Sequence, residues 1–480
     1  MSLVRTAQLC ATLAALAVGC RSTPARVAAT TERSRVEVAL AKPAQSSASP
    51  MSVTSASFEQ VPSSPAEELE PPTVIGAEEE LSLPILVEEV RTRNPSLQAM
   101  AAAWQAAAQR YPQAISLEDP MLMAMVAPDA FDSAEVDNGY ALQGSQKIPW
   151  FGKRSARGCQ ARAEASAAYH DLQDSRVRLD EITRTAFFEY YLARRQLDLN
   201  REDLEVLRQF KSTAKSKYTA NQVTQQDVLQ AEVELAELER KNLELERMNR
   251  VSTARINTLL RDDPFSPLPP PPRQLEISGD QLDVALLQNF AVGQRPDLAA
   301  LRARVCAAQA AVVLACKEYY PDTEVFGKYD AFWQEIPLQA AVGVNLNVPI
   351  YRGRLNAAVR EARFTLSQRR AEYAQLVLDT QYEVVAAYEQ VEESRLALRL
   401  YAERLVPTAE QNVAAARANY DVNRASFLDL AIAQRQLVNL RVNREEALAA
   451  YHNRLAELTR VVGGSIPTIL GDEAPLQATP

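Results

Sequence analysis

Side chains able to do chemistry are few and scattered along this chain. It contains only two histidines, His170 and His452, far apart and neither in a metal-binding or catalytic spacing. There is no Cys-x-x-Cys pair, no phosphate-binding glycine loop and no nucleophile elbow. One cluster invites attention: Met121, Met123 and Met125. Thioethers are soft donors of the kind that suit Cu(I) or Ag(I). Period two along a strand puts all three on one face, and that face serves as readily as an apolar surface turned toward lipid. No catalytic residue, metal site or cofactor is therefore predicted. Two acidic residues, Asp227 and Asp429, stand alone at equivalent points of two long helical segments. Their meaning depends on the elements that hold them.

The five cysteines say little about redox chemistry. Cys10 lies in an N-terminal segment with Arg5 as its basic end and Leu9 to Val18 as a short apolar stretch, which reads as an export signal over residues 1–19. The segment ends Leu16-Ala17-Val18-Gly19-Cys20, small residues leading straight into a cysteine. That pattern resembles a bacterial lipobox and makes Cys20 the expected lipid-attachment residue, with ordinary secretion as the alternative. Cys306 and Cys316 are ten residues apart on a predicted helix, roughly 15 Å along its axis and too far for a disulfide. Together with Cys159 they are expected to be small buried apolar residues. After the signal there is no run of 18 apolar residues, so no transmembrane helix is expected.

The chain is mildly acidic, with 52 basic and 61 acidic residues, which leaves no electrostatic footprint for nucleic acid. Residues 20–81 are rich in Ser, Pro, Ala, Thr and Glu and bury too little to offset ordering entropy. They read as a disordered tether.

The body then repeats itself once at an offset of 200 to 202 residues. Asn94-Pro95-Ser96-Leu97 answers Arg295-Pro296-Asp297-Leu298, Pro120 answers Pro321, and Pro149 answers Pro349. Tyr218-Thr219-Ala220-Asn221 answers Tyr420-Asp421-Val422-Asn423, and Asp227 answers Asp429. Residues 82–263 and 281–463 are the two copies. A proline-rich connector, 264–280, lies between them, and a tail, 464–480, follows.

Each copy opens with two short helices, about Leu83 to Arg91 and Ser96 to Tyr111 in the first, Leu282 to Phe290 and Asp297 to Tyr319 in the second. Two strands follow, within about 119–148 and 322–348. Val342, Val344, Leu346 and Val348 alternate with Gly343, Asn345 and Asn347, apolar on one face and small or polar on the other. Tyr140, Leu142 and Ile148 fit the same pattern, whereas Gly144 and Gln146 interrupt it. Strands of about nine residues are long enough to cross a bilayer in a barrel. Four from one chain cannot close one, so three chains would have to share it. Long helices over about 155–217 and 355–419, the second interrupted only by Pro407, are each followed by a returning helix, 224–260 and 426–462. On the first return helix Val228, Ala231, Leu235, Leu238, Leu245, Ile256 and Leu259 form a coiled-coil seam, with Asn242, Asn249 and Ser252 at intervening positions. Polar seam residues suit a wall facing water on its inner side; an ordinary antiparallel bundle is the alternative.

The strand end Gln146-Lys147-Ile148-Pro149-Trp150-Phe151-Gly152-Lys153-Arg154, its counterpart Asn347-Val348-Pro349-Ile350-Tyr351-Arg352-Gly353-Arg354, and the two Tyr-x-x-Asn turns followed by Asp resemble the TolC family of outer-membrane factors. The resemblance covers about residues 82–463. It implies a mainly α fold with a small β part: a homotrimer whose twelve strands form one outer-membrane barrel, continued by a coiled-coil periplasmic tunnel. It implies a passive exit duct, not an enzyme, joined through a periplasmic adaptor to an inner-membrane RND-type pump in a Gram-negative bacterium. Trp150, Phe151 and Tyr351 would then lie in one aromatic belt among the outer-membrane lipids, and Phe332 and Trp333 in the opposite one. Lys153, Arg154, Arg352 and Arg354 would lie just below, against headgroups or helix ends, or merely cap a helix.

By the same resemblance, the adaptor would dock on Asn221, Gln222, Val223, Thr224, Asn423, Ala425 and Ser426. The family usually has Gly where Asn221 and Asn423 stand, and Asn is the next best residue for a left-handed turn. Asp429 would ring the constriction, with Arg424 and Tyr420 holding it closed. Asp227 is a weaker counterpart that also suits a solvated helix start. Ile432 stands where some members carry a second aspartate, so the ring would be single. The Pro-Trp-Phe-Gly-Lys-Arg strand end is most similar to members serving heavy-metal efflux. A multidrug or type I secretion duct and a purely structural coiled-coil lipoprotein are the alternatives.

Overall fold

The computed structural model describes residues 80–126, 139–277, 283–331, 339–422 and 424–466. Cys20 and the tether, Asn423, Phe332 and Trp333 lie outside the described residues. The first copy runs α1 (Leu83–Arg93), α2 (Pro95–Ala108), α3 (Arg110–Ile115), β1 (Met121–Val126), β2 (Tyr140–Ile148), α4 (Lys153–Thr219) and α5 (Gln225–Leu260). The second runs α6 (Val284–Gln294), α7 (Pro296–Lys317), β3 (Asp322–Asp330), β4 (Ala340–Asn347), α8 (Arg352–Leu400), α9 (Val406–Asp421) and α10 (Phe427–Val462). Pro95 and Pro296 occupy the first turn of their helices, where a missing N–H leaves no bond unmade.

α4 is 67 residues long, about 100 Å at 1.5 Å per residue. Its counterpart is not continuous: a five-residue π turn, Tyr401–Leu405, separates α8 from α9. Pro407 has no N–H to donate, and its ring crowds the carbonyl four residues back. The wider turn just before it relieves both problems.

The repeat reappears in the core. Leu86, Ala186, Ile256 and Leu260 pack in one cluster. Their counterparts Leu287, Ala387, Leu458 and Val462 pack in another. Polar bolts tie α4 to α10: Tyr191 Oη donates to Glu445 at 3.0 Å, and Gln434 Nε2 to Asp203 at 2.7 Å. Both return helices end in a left-handed residue, Arg261 (φ 63°) and Gly463 (φ 110°). The next N–H reaches back in each case, Asp262 to Asn257 O at 2.9 Å and Gly464 to Thr459 O at 2.8 Å. The connector is docked rather than free-standing. Leu81 N donates to Pro270 O at 2.8 Å and Tyr190 Oη to Pro269 O at 3.1 Å.

Two expectations need correction. Cys159, Cys306 and Cys316 are free thiols, as expected, but exposed in the protomer, because α7 and α4 pack through their other faces. The seam asparagines are only partly open to water: Asn242 and Asn249 are half-buried, each with an Oδ1 that is shielded and has no partner among the described residues, and Ser252 is buried. Beside exposed charged residues such as Glu232, Glu239 and Arg240, α5 also exposes the apolar Leu229, Val233, Leu243 and Val251. α7 is apolar enough to cross a membrane by length and composition alone, but Arg302 and Arg304 interrupt its apolar run, so the expectation of no transmembrane helix is not overturned. It lies along α4 and α8, held by an Arg304–Asp171 ion pair at 2.6 Å, and serves as a packing helix.

Candidate functional site

The four strands form one antiparallel sheet in the order β1-β2-β3-β4, so the hairpins of the two copies join along β2 and β3. Residues opposite one another in such a pairing share a face. Leu122, Gly144, Gly327 and Val342 stand in one row, as do Ala124, Leu142, Tyr329 and Ala340. Adding Val325, Val344 and Leu346 gives a face that is apolar almost throughout, and Gly144 and Gln146 belong to it despite their types. Val342 is 89% exposed and Leu122 90%. The reverse face carries Gln143, Ser145, Lys147, Asp322, Glu324, Lys328, Asp330, Asn345 and Asn347. Both edge strands, β1 and β4, lack a second neighbour among the described residues. An apolar face in this quantity needs a medium other than water, and unpaired edges need further strands.

At the junction between sheet and helices, Trp150 stacks on Tyr320 with centroids 5.6 Å apart and planes 4° from parallel. Phe151 and Tyr351 are largely exposed beside them. Tyr320 belongs with this aromatic group and was not expected there; the Tyr319-Tyr320-Pro321 run was its only sequence signal. Lys153 takes the helix-end alternative rather than the headgroup one. Its side chain is buried, and Nζ reaches Asp322 at 2.9 Å, Glu318 at 3.3 Å and Tyr320 O at 3.0 Å. It staples the start of α4 to the start of β3 and cannot reach headgroups. Arg154 caps the last turn of α3 through Ile115 O at 2.7 Å. Arg352 lies over the Tyr319 ring at 5.6 Å, and Arg354 is exposed.

The far ends of the long helices form the second region. α4 terminates in the expected left-handed turn: Asn221 has φ 55°, Gln222 N donates to Lys217 O at 2.9 Å and Asn221 N to Tyr218 O at 3.0 Å. The equivalent bond in the second turn, Arg424 N to Asn419 O at 2.8 Å, is also present. Asn221, Gln222, Thr224 and Ser426 are exposed, while Val223 and Ala425 are half-buried. Val223 packs on a local core of Leu207, Phe210, Tyr420, Phe427 and Leu430.

Asp429 forms a capping box at the start of α10. It accepts from Ser426 Oγ at 2.8 Å and Ser426 N at 3.0 Å, while its own N–H meets Ser426 Oγ. Those bonds, the hydroxyl first, hold its carboxyl below the usual range. Ile432 is exposed one turn on. Tyr420 is buried against Phe427, and burial, with the charges of Asp227 and Asp421, pushes its phenol up. Among the described residues Tyr420 Oη has no hydrogen-bond partner and Arg424 makes no ion pair. What straps the turns together is Lys217, which no sequence signal marked. Nζ lies 4.2 Å from the Tyr420 ring centroid and donates to Tyr420 O at 2.5 Å and Asp421 O at 3.2 Å.

Residues 287–464 match the outer membrane efflux protein family. That match falls on the second of the two copies. The rest of the body shares its fold with solved TolC-family channels. The outer-membrane channel OprN is 20% identical over 80% of this chain and 90% of its own, with a TM-score of 0.68. VceC of Vibrio cholerae is 21% identical over 80% and 96%, with a TM-score of 0.68. CusC, whose structures concern folding and transmembrane channel formation, is 16% identical over 80% and 92%, with a TM-score of 0.69. No curated protein matches the sequence. Efflux proteins of this family are passive outer-membrane channels of Gram-negative bacteria that extend into the periplasm, not enzymes.

Proposed function

We propose that three copies of this chain form the exit duct of a tripartite efflux system, docked through a periplasmic adaptor to an inner-membrane RND-type pump and carrying heavy-metal cations. The observation that carries this reading is the sheet: one face apolar almost throughout, the other bearing the charged and amide side chains, both edges open among the described residues, with β2 and β4 each leading into a long helix. Three such sheets edge to edge give a closed barrel with lipid outside and water inside. Exposed apolar residues on α5, and Phe364, Leu378, Tyr382 and Leu396 on α8, supply contacts between neighbouring copies. Cys20 would bear the lipid anchor. Residues 221–224 with 423, 425 and 426 would receive the adaptor, and Asp429 would line the constriction.

The direct test is reconstitution of the full chain in planar bilayers. Cation-selective conductance whose selectivity falls in Asp429→Ala is expected. A protein that never enters liposomes after removal of its acyl chain would overturn the duct, and unchanged selectivity in the variant would overturn the ring. Deleting the gene should sensitise cells to copper, silver, zinc or cadmium; sensitivity to organic drugs alone would reassign the cargo.

A further inference from the structure

β1 reads Met-Leu-Met-Ala-Met-Val and is apolar on both of its faces. Sequence therefore cannot say which face is which, but the register does. Met121 pairs with Ser145, Met123 with Gln143 and Met125 with Ala141. Continuing across the sheet, those rows reach Phe326, Lys328 and Asp330 on β3. Leu122, Ala124 and Val126 take the other face, in rows with Gly144, Leu142 and Tyr140. The three methionines thus stand on the polar face, opposite to the one that Leu122 and Val342 turn outward. All three are more than half exposed. Burial in a core and contact with lipid both fail to account for three thioethers there.

We propose that Met121, Met123 and Met125 form a thioether ladder on the inner wall of the barrel that binds a soft monovalent cation, Cu(I) or Ag(I), in transit. The inference rests on the duct reading above and gives its cargo a contact. Alternate residues of a strand lie about 6.7 Å apart, and three rotatable bonds on each side chain let neighbouring sulfurs converge on one ion. Thioether sulfur selects soft cations over the hard ions of the medium. Nearby positive charge is balanced: Lys328 pairs with Asp330 at 2.5 Å and Lys147 with Glu118 at 3.3 Å. Exposure on the water side allows entry and exit without refolding.

The test uses the full chain with the free cysteines Cys159, Cys306 and Cys316 replaced by serine, since their thiols would also take silver. Silver nitrate is titrated in chloride-free buffer, and X-ray absorption identifies the ligand atoms. Sulfur coordination of Ag(I) in the parent is expected, with affinity at least about tenfold weaker in Met121→Leu/Met123→Leu/Met125→Leu. Zn(II) should not bind there. An oxygen- or nitrogen-only shell in the parent overturns the ladder whatever the variant does, as does equal silver affinity in parent and variant. Potassium nitrate conductance of both proteins is recorded alongside. Conductance with no sulfur-bound silver removes the ladder and leaves the duct standing, whereas absent conductance removes the duct.

Discussion

Lys217→Met isolates the strap between the two turns, because methionine keeps an unbranched apolar stem of similar reach and removes the ammonium group. Separating the α4–α5 turn from the α9–α10 turn must break two charge-assisted bonds to the carbonyls of Tyr420 and Asp421 and the contact over the Tyr420 ring. A buried charged hydrogen bond is worth about 1.5–3 kcal/mol and an exposed cation–π contact about 0.5–1 kcal/mol. Lys217 is half-buried, so solvent screens all three, and about 1.5–2 kcal/mol per protomer remains. That corresponds to roughly a ten- to thirtyfold shift toward separated turns for each subunit. The assay is single-channel recording of the full-length protein in planar bilayers, scoring the fraction of time spent in high-conductance states. Lys217→Met should raise that fraction by about an order of magnitude, and Lys217→Arg should restore it in large part. An open fraction in Lys217→Met equal to that of the parent would refute the strap.

Val344 and Asn345 are neighbours on opposite faces of β4. Val344→Arg should cost about 2–4 kcal/mol on a lipid face at mid-bilayer, while Asn345→Arg should be tolerated and alter conductance; urea unfolding in liposomes compares them. His452 stacks on Phe188, and burial lowers its pKa to about 4, so the imidazole is neutral in the folded protein. The unfolded chain then takes up the proton first. Stability should be full above about pH 6.5 and fall by up to about 3 kcal/mol as pH drops toward 4, a dependence that His452→Phe flattens in pH-resolved denaturation. At Gly463 the φ is 110°, and an added Cβ would meet Gln294 C at 3.1 Å and Arg295 N at 3.2 Å. Gly463→Ala should cost about 2 kcal/mol or more in the same denaturation assay.

Much was legible from residue types alone, because helices and turns depend on local chemistry. From Ser155 to Lys217 there is no proline and no glycine besides Gly158, which announces one long helix, and the Asn at position 221 announces where the chain can turn left-handed. The repeat, read from short identities some 200 residues apart, specified that strands, long helices and return helices occur twice. Pro407 marked a break but not its form, since a π turn and a kink relieve the same clash.

Only tertiary structure decided which atoms meet and which face is which. Lys153 and Arg154 looked alike in sequence, two cations at the end of a strand; packing of α4 against α7 buried the lysine and left Arg154 to cap α3. Lys217 and Arg424 are both cations beside a turn, and distance alone chose Lys217 as the strap. β1 offers apolar residues at every position, so its own pattern holds no information about orientation. Pairing with β2 supplies it: β2 has distinct faces, and a register shift of one residue would exchange the methionines with Leu122, Ala124 and Val126.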